Sequence, residues 1–97
     1  MSEIVILLGA EIDLQALYER QTSVARAELL ETEMLSAFGQ LVQFSRSASE
    51  FESSYRCFRL RAFPYALFYK VEGSRIVIHA VLDTRQDPAS IRRRLGI

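Results

Sequence analysis

Arginines dominate the side chains of this sequence that can do chemistry on a phosphate or a carboxylate. A guanidinium group binds either anion through paired hydrogen bonds and keeps its charge throughout the physiological pH range. Arg59 and Arg61 stand two residues apart, and Arg85 follows a later apolar run. Such groups can stabilise the charge that develops on a phosphate during RNA cleavage, or they can bind an acidic surface. The arginines expected to contact a target or partner are Arg59, Arg61, Arg85, Arg92, Arg93 and Arg94.

Charge is distributed unevenly along the chain of 97 residues, although its net charge is zero. Residues 1–54 carry nine acidic and three basic side chains, whereas residues 55–97 carry nine basic and three acidic ones. This asymmetry favours a basic working surface on an otherwise neutral protein. Ordinary solvated surface charge is the alternative.

Groups for general acid–base catalysis are scarce near the arginines. After Arg85 the chain has no Tyr, His, Glu or Lys, and Asp87, which precedes a proline, is expected to cap a helix. The single histidine, His79, lies within an apolar run, where it is expected to share a face with Val77 and Val81 and to be packed and hydrogen-bonded. Because RNA cleavage needs a base and an acid at the scissile phosphate, this scarcity disfavours a nuclease mechanism.

The remaining reactive side chains are predicted mainly to pack. Tyr65 and Tyr69 share one face of a predicted strand, where they either stack on a base or pack in the core or against a partner. Cys57 is predicted to be a small buried residue, and a lone thiol fits a reducing compartment. One Cys and one His do not make a tetrahedral zinc centre, so we expect no metal and no cofactor.

The composition, with 49% hydrophobic and 25% charged residues, is typical of a single globular domain, here over residues 1–97. No apolar run reaches the roughly 18 residues of a membrane span, and no basic start precedes a short apolar segment. We therefore expect a cytoplasmic protein without membrane contact.

The spacing of apolar residues predicts a two-layer α+β fold with the order β-α-α-β-β-β-α. The predicted elements are strands at 3–8, 55–61, 65–71 and 76–82, a helical hairpin over about 10–44, a loop at 45–54 and a helix at 88–95. Short connections join the last three strands, which therefore form an antiparallel meander. The helical hairpin covers one face of the sheet. The other face, with Arg59 and Arg61 together on one strand, is expected to stay partly open.

Four linked segments carry a family resemblance. They are 61–65 (RAFPY), 67–73 (LFYKVEG), 75–82 (RIVIHAVL) and 85–88 (RQDP). In these segments and in its element order, the chain resembles the RelE/ParE superfamily, the toxins of bacterial type II toxin–antitoxin modules that stabilise plasmids. The chain departs from much of the superfamily at Asp83, where a histidine often ends the strand.

The resemblance implies two mechanisms and one partner. RelE-like members cleave mRNA in the ribosomal A site, whereas ParE-like members inhibit DNA gyrase by binding. Both are neutralised by a cognate antitoxin whose C-terminal segment folds across the toxin; contact with DNA is expected only through that antitoxin. The scarcity of acid–base groups favours the ParE-like mechanism. The alternatives are a RelE-like endoribonuclease, with Arg59, Arg61 and Arg85 as its catalytic residues, and a non-toxic binding module of the same fold.

Overall fold

The computed structural model of the protein describes residues 2–97, which form a mixed sheet flanked by helices. The elements, in chain order, are β1 (Glu3–Ile6), α1 (Leu8–Glu19), α2 (Val24–Gln43), β2 (Ser49–Glu50), β3 (Arg56–Arg59), β4 (Tyr65–Glu72), β5 (Arg75–Asp83) and α3 (Pro88–Leu95).

The five-stranded sheet has the order β1-β5-β4-β3-β2. The first strand pairs in parallel with β5, and the other neighbours pair antiparallel. The predicted α+β class and the meander, here β3-β4-β5, are confirmed. In the β4–β5 turn, Gly73 has a φ of 63°, a conformation that favours glycine.

The short strand β2 lies within the segment 45–54, so the prediction of a loop throughout that segment is wrong. Two residues cannot show an alternating pattern, and β2 exists because β3 pairs with it through Ser49–Cys57 and Glu50–Arg56. The Arg56 guanidinium reinforces the approach by donating to the Ala48 carbonyl at 2.8 Å.

The first layer of the core lies between the helical hairpin and one sheet face. Leu30, Met34 and Leu41 of α2 are fully buried, as are Leu67 and Ile78 of the sheet. Burial of each such side chain is worth about 1.5–3 kcal/mol. The second helix begins at a side-chain cap, because the Ser23 hydroxyl accepts a hydrogen bond from the Arg26 amide at 3.1 Å.

The last helix packs on the opposite sheet face, so this face is more covered than the sequence indicates. Ile91 and Leu95 of α3 contact a floor that includes Ala66 and Ala80, whose small side chains allow close approach. The helix starts where predicted, since the Asp87 carboxylate accepts a hydrogen bond from the Ala89 amide at 3.1 Å.

A bulge in β5 changes which face its later residues occupy. Phe68 pairs with Ala80 but Tyr69 pairs with Ile78, which leaves His79 without a partner residue on β4. Val81 therefore packs beneath the helical hairpin, whereas the His79 ring contacts a tyrosine of the opposite face. The expectation that these two residues share a face is wrong, because the alternation of strand side chains is interrupted between them.

Gly39 offers a direct test of the helical conformation of α2. It lies on the exposed side of α2, and a Cβ there would meet no atom within 4 Å. Glycine costs about 1 kcal/mol relative to alanine inside a helix, so Gly39→Ala should raise Tm by about 4–8 °C in thermal unfolding. The matched control is Gly73→Ala, equally free of contacts but at positive φ, which should lower Tm. An unchanged or lower Tm for Gly39→Ala would contradict this account of α2.

Candidate functional site

Arg59 and Arg61 do not lie on one strand as predicted. The third strand ends at Arg59, and Arg61 belongs to the loop that joins β3 to β4. The strand stops because Glu33 of α2 takes over its backbone donors: the carboxylate accepts from the Arg61 amide at 2.7 Å and from the Ala62 amide at 3.0 Å. Both arginines are exposed, and neither forms an ion pair within residues 2–97.

A groove of about 270 Å³ separates this pair of arginines from α2. Its lining is mixed: hydroxyl and amide side chains stand on the helix, with Phe58 and Leu60 on the other side. The residues that line it are Thr32, Glu33, Ser36, Ala37, Gln40, Phe58, Arg59, Leu60 and Arg61. The charged members of the lining are the two arginines and Glu33, so the net charge of the groove is positive. Both carboxylate oxygens of Glu33 accept backbone amides.

The Arg85 side chain forms an ion pair within the protein. Its guanidinium donates to both carboxylate oxygens of Asp83, at 3.1 and 2.7 Å, and Arg20 lies 3.9 Å from the same carboxylate. The hydrogen bond from Arg85 holds the pKa of Asp83 below its ordinary value. Asp83, the position at which the chain departs from much of the superfamily, is therefore the anion that Arg85 binds.

The three arginines of α3 differ in how much of their charge is available. Arg92 pairs with Glu52 at 3.1 Å, and Arg94 pairs with Asp13 at 2.8 Å. Arg93 donates only to the neutral Ser90 hydroxyl, at 3.1 Å. Arg93 is thus the member of this set that presents an uncompensated positive charge.

Asp13 joins three elements of the structure and was not among the residues that the sequence indicated. Its carboxylate pairs with Arg94 of α3 and also accepts a hydrogen bond from the Val81 amide of β5 at 3.1 Å. Gly9 provides room for this pairing, because a Cβ there would lie 2.9 Å from the Arg94 guanidinium. A carboxylate in a helix carries no sequence signal that identifies partners this distant in the chain.

Tyr65 and Tyr69 lie in the core beneath the helical hairpin. Their relative exposures are 7% and 0%, and the buried position raises the pKa of Tyr69. The Tyr69 hydroxyl donates to the Ser45 carbonyl at 2.8 Å, while Gln21 donates to the Tyr65 hydroxyl at 3.2 Å. Core packing is the alternative that this burial supports, since neither ring has a free face on which a base could stack.

The sheet face covered by α3 carries a polar cluster of Tyr55, His79 and Lys70. The Tyr55 hydroxyl donates to the Leu95 carbonyl at 3.1 Å and lies 3.4 Å from His79 Nδ1. The Lys70 ammonium sits over the Tyr55 ring, 4.4 Å from its centre. Burial, together with the charge of Lys70, lowers the pKa of His79. The imidazole is therefore neutral at pH 7 and helps to position Tyr55, which holds the end of α3.

Cys57 is half-buried, and burial raises the pKa of its thiol. A protonated thiol is a poor nucleophile. Within residues 2–97, no group of three or more His, Cys, Asp or Glu side chains is arranged to hold a metal ion. Over the same part of the chain, no helix combines the length and the apolar character needed to cross a bilayer.

The fold defines a class. A mixed sheet with a helical hairpin on one face and a short basic helix on the other is the RelE/ParE-like arrangement. The family model for the ParE toxin of the type II toxin–antitoxin system, parDE, matches residues 4–88. The chain belongs to this ParE toxin family.

Comparison of structures supports the fold. A chain from the chromosomal ParDE toxin–antitoxin system of P. aeruginosa is similar to this protein with a TM-score of 0.71 and 20% sequence identity. The match covers 84% of this chain and 94% of the other. At this level of identity the likeness shows the fold alone. Comparison with curated protein sequences gives no match.

We expect Asp13→Ala to loosen α3. The substitution removes the ion pair to Arg94 and leaves the Val81 amide unsatisfied, a loss of about 1–3 kcal/mol in the free energy of unfolding. Urea unfolding would give the stability, and hydrogen exchange of the Val81 amide would report the local effect. Gln15→Ala, on the exposed side of the same helix, is the control. An unchanged Val81 exchange rate would contradict the role given to Asp13.

The Asp83–Arg85 pair predicts a pH-dependent contribution to stability. Because the pKa of Asp83 is lower in the folded protein than in the unfolded chain, the pair stabilises the fold at neutral pH and loses this effect as the pH falls through the folded pKa. Arg85→Gln should therefore lower Tm more at about pH 7 than at about pH 3, below the ordinary pKa of an aspartate. Arg46→Gln, an exposed arginine without an ion pair in residues 2–97, should show no such dependence. Equal losses at both pH values would contradict this linkage.

Proposed function

We propose that this protein is the toxin of a type II toxin–antitoxin module and that it acts in the cytoplasm by binding DNA gyrase. A cognate antitoxin holds it inactive and provides the only link to DNA. The observation that carries the proposal is membership of the ParE toxin family, established over residues 4–88. The lone half-buried thiol is compatible with a reducing compartment.

The chemistry of the arginine site supports binding rather than cleavage. Cleavage of RNA needs a base within hydrogen-bond reach of the 2′-hydroxyl and an acid at the leaving oxygen. Glu33 lines the groove beside Arg59 and Arg61, but its oxygens already accept two backbone amides. His79 and Tyr55 hydrogen-bond beneath α3, and Asp83 is bound to Arg85. The arginines can therefore bind an anion, but within residues 2–97 no general acid or base beside them is free to transfer a proton.

The exposed arginines supply the proposed contact with the target. Arg59, Arg61 and Arg93 are exposed and lack an ion pair within the described residues 2–97, so each can bind a carboxylate without first breaking an internal ion pair. Arg85, Arg92 and Arg94 would have to exchange an internal carboxylate for one of the target. We therefore rank Arg59, Arg61 and Arg93 first among the target-binding residues.

Exposed apolar side chains on the helical hairpin support the antitoxin as a partner. Leu8 and Ile12 of α1 are 71% and 61% exposed, and they line a groove with Ile6, Leu14 and Tyr18. Two apolar residues one helical turn apart next to a groove suit an amphipathic segment that orders on binding. Covering this surface would also remove an apolar patch from water.

Induced expression tests the toxin and identifies its target. Viable counts should fall after induction of this chain alone in a bacterial host. They should recover when the cognate antitoxin, the small protein encoded by the neighbouring gene, is co-expressed. In supercoiling assays with purified gyrase, the wild-type chain should inhibit and the Arg59→Gln/Arg61→Gln variant should inhibit about tenfold less. Arg75→Gln, an exposed arginine paired with Glu3, is the matched control.

Two results would contradict this proposal in different ways. Cleavage of mRNA on the ribosome, lost in Arg61→Gln, with gyrase unaffected would establish the RelE-like alternative. Normal growth while folded protein accumulates would instead favour the non-toxic binding module.

A further inference from the structure

We propose that the groove between α2 and β3 binds an acidic segment of a partner protein in extended conformation. The segment pairs with the free edge of β3 at Arg59, and the Arg59 and Arg61 side chains bind its carboxylates. The inference rests on the proposed function only in that a partner protein supplies the segment.

The edge of β3 is open over a short, defined stretch. The second strand pairs with β3 only through Ser49–Cys57 and Glu50–Arg56, so no strand lies beside Arg59 on that side. The Leu60 amide donates toward β4, to the Tyr65 carbonyl at 2.9 Å, and successive backbone groups of a strand point in opposite directions. The Arg59 amide and carbonyl therefore point away from β4, toward the open edge.

The end of the open edge is closed by a side chain rather than by a strand. Glu33 accepts the Arg61 and Ala62 amides, which are the next donors along the chain. Arg26 assists by donating to the Ala62 carbonyl at 3.3 Å and by lying over the Phe63 ring, 4.3 Å from its centre. The loop that carries Arg61 is thereby held against α2, and the open edge keeps a fixed shape for an incoming strand.

The groove beside this edge is suited to a polar backbone with alternating side chains. Thr32, Ser36 and Gln40 are spaced about one turn apart on α2 and offer hydroxyl and amide groups, while Phe58 gives an apolar contact. A strand added to an edge gains affinity from main-chain hydrogen bonds and specificity from the pockets for alternate side chains.

Charge identifies the chemistry of the segment. Arg59 and Arg61 are exposed and, within residues 2–97, have no carboxylate partner. The Glu33 carboxylate also lines the groove and keeps its charge while it accepts two amides, but the two guanidinium groups outweigh it, so the net charge that an incoming carboxylate meets is positive. A basic segment would be repelled at the same place. The complementary ligand is therefore an extended peptide rich in Asp or Glu.

A peptide titration followed by NMR tests the proposal on the full chain. The probe is an acetylated, amidated peptide of about ten residues in which Glu alternates with Val, since alternation places its carboxylates on one face. The amides of Arg59, Arg61, Ser36 and Gln40 should shift, and Arg59→Gln/Arg61→Gln should bind about tenfold more weakly. Arg75→Gln, whose guanidinium lies at the start of β5, should bind as the wild type does.

Two control peptides separate charge from strand pairing. A Lys–Val peptide should not shift these amides, and a Glu–Val peptide methylated on alternate backbone nitrogens should lose most of its affinity because it lacks the donors for pairing. Equal shifts with the Lys–Val peptide, undiminished binding of the methylated peptide, or no shift at Arg59 would each overturn the proposal. The last result would leave Arg59 as a charge that blocks edge-to-edge association. Growth assays are independent of this titration, so a non-toxic chain that binds the peptide would contradict only the proposed function.

Discussion

The carboxylate of Asp13 joins the first helix, the sheet and the last helix, and the remaining structure depends on this contact. The first strand ends at Ile6, so the Val81 amide further along β5 has no strand partner on that side and donates to Asp13 instead. The same carboxylate binds Arg94 and so fixes the last helix over the opposite face of the sheet. One side chain thus satisfies a strand edge, anchors the first helix and positions the basic helix.

Most of the elements follow from local sequence. Apolar spacing predicts both long helices, a proline after Asp87 predicts the start of the last one, and short apolar runs on either side of a glycine turn predict the two long strands. The short strand at Ser49–Glu50 and the bulge at His79 could not be predicted, because each is defined by its pairing with a neighbouring strand and not by its own residues. Likewise, the end of the third strand depends on Glu33, which lies 28 residues before its hydrogen-bond partner Arg61 in the chain.

The sequence indicates which residue types form the candidate site, but not which of these side chains are free and which are paired. The sequence identifies the arginines as candidate anion-binding groups, yet it does not distinguish Arg59, which is unpaired within residues 2–97, from Arg85, which binds Asp83. Their different availability comes from tertiary contacts. The two tyrosines illustrate the same limit, because alternation places them on one face but does not say that helices cover it.

The parallel pairing of the first strand with the fifth has a consequence for synthesis of the protein. Glu3 pairs with Arg75, so the first strand cannot join the sheet until the fifth strand has left the ribosome. Up to that point the helical hairpin has no complete sheet to cover, and the nascent chain exposes apolar surface. The basic helix follows β5 in the chain, and its docking contact with Asp13 joins it to the first helix. The order of translation therefore delays assembly of the arginine surface until β5 and α3 have been made, a form of timing that is built into the topology.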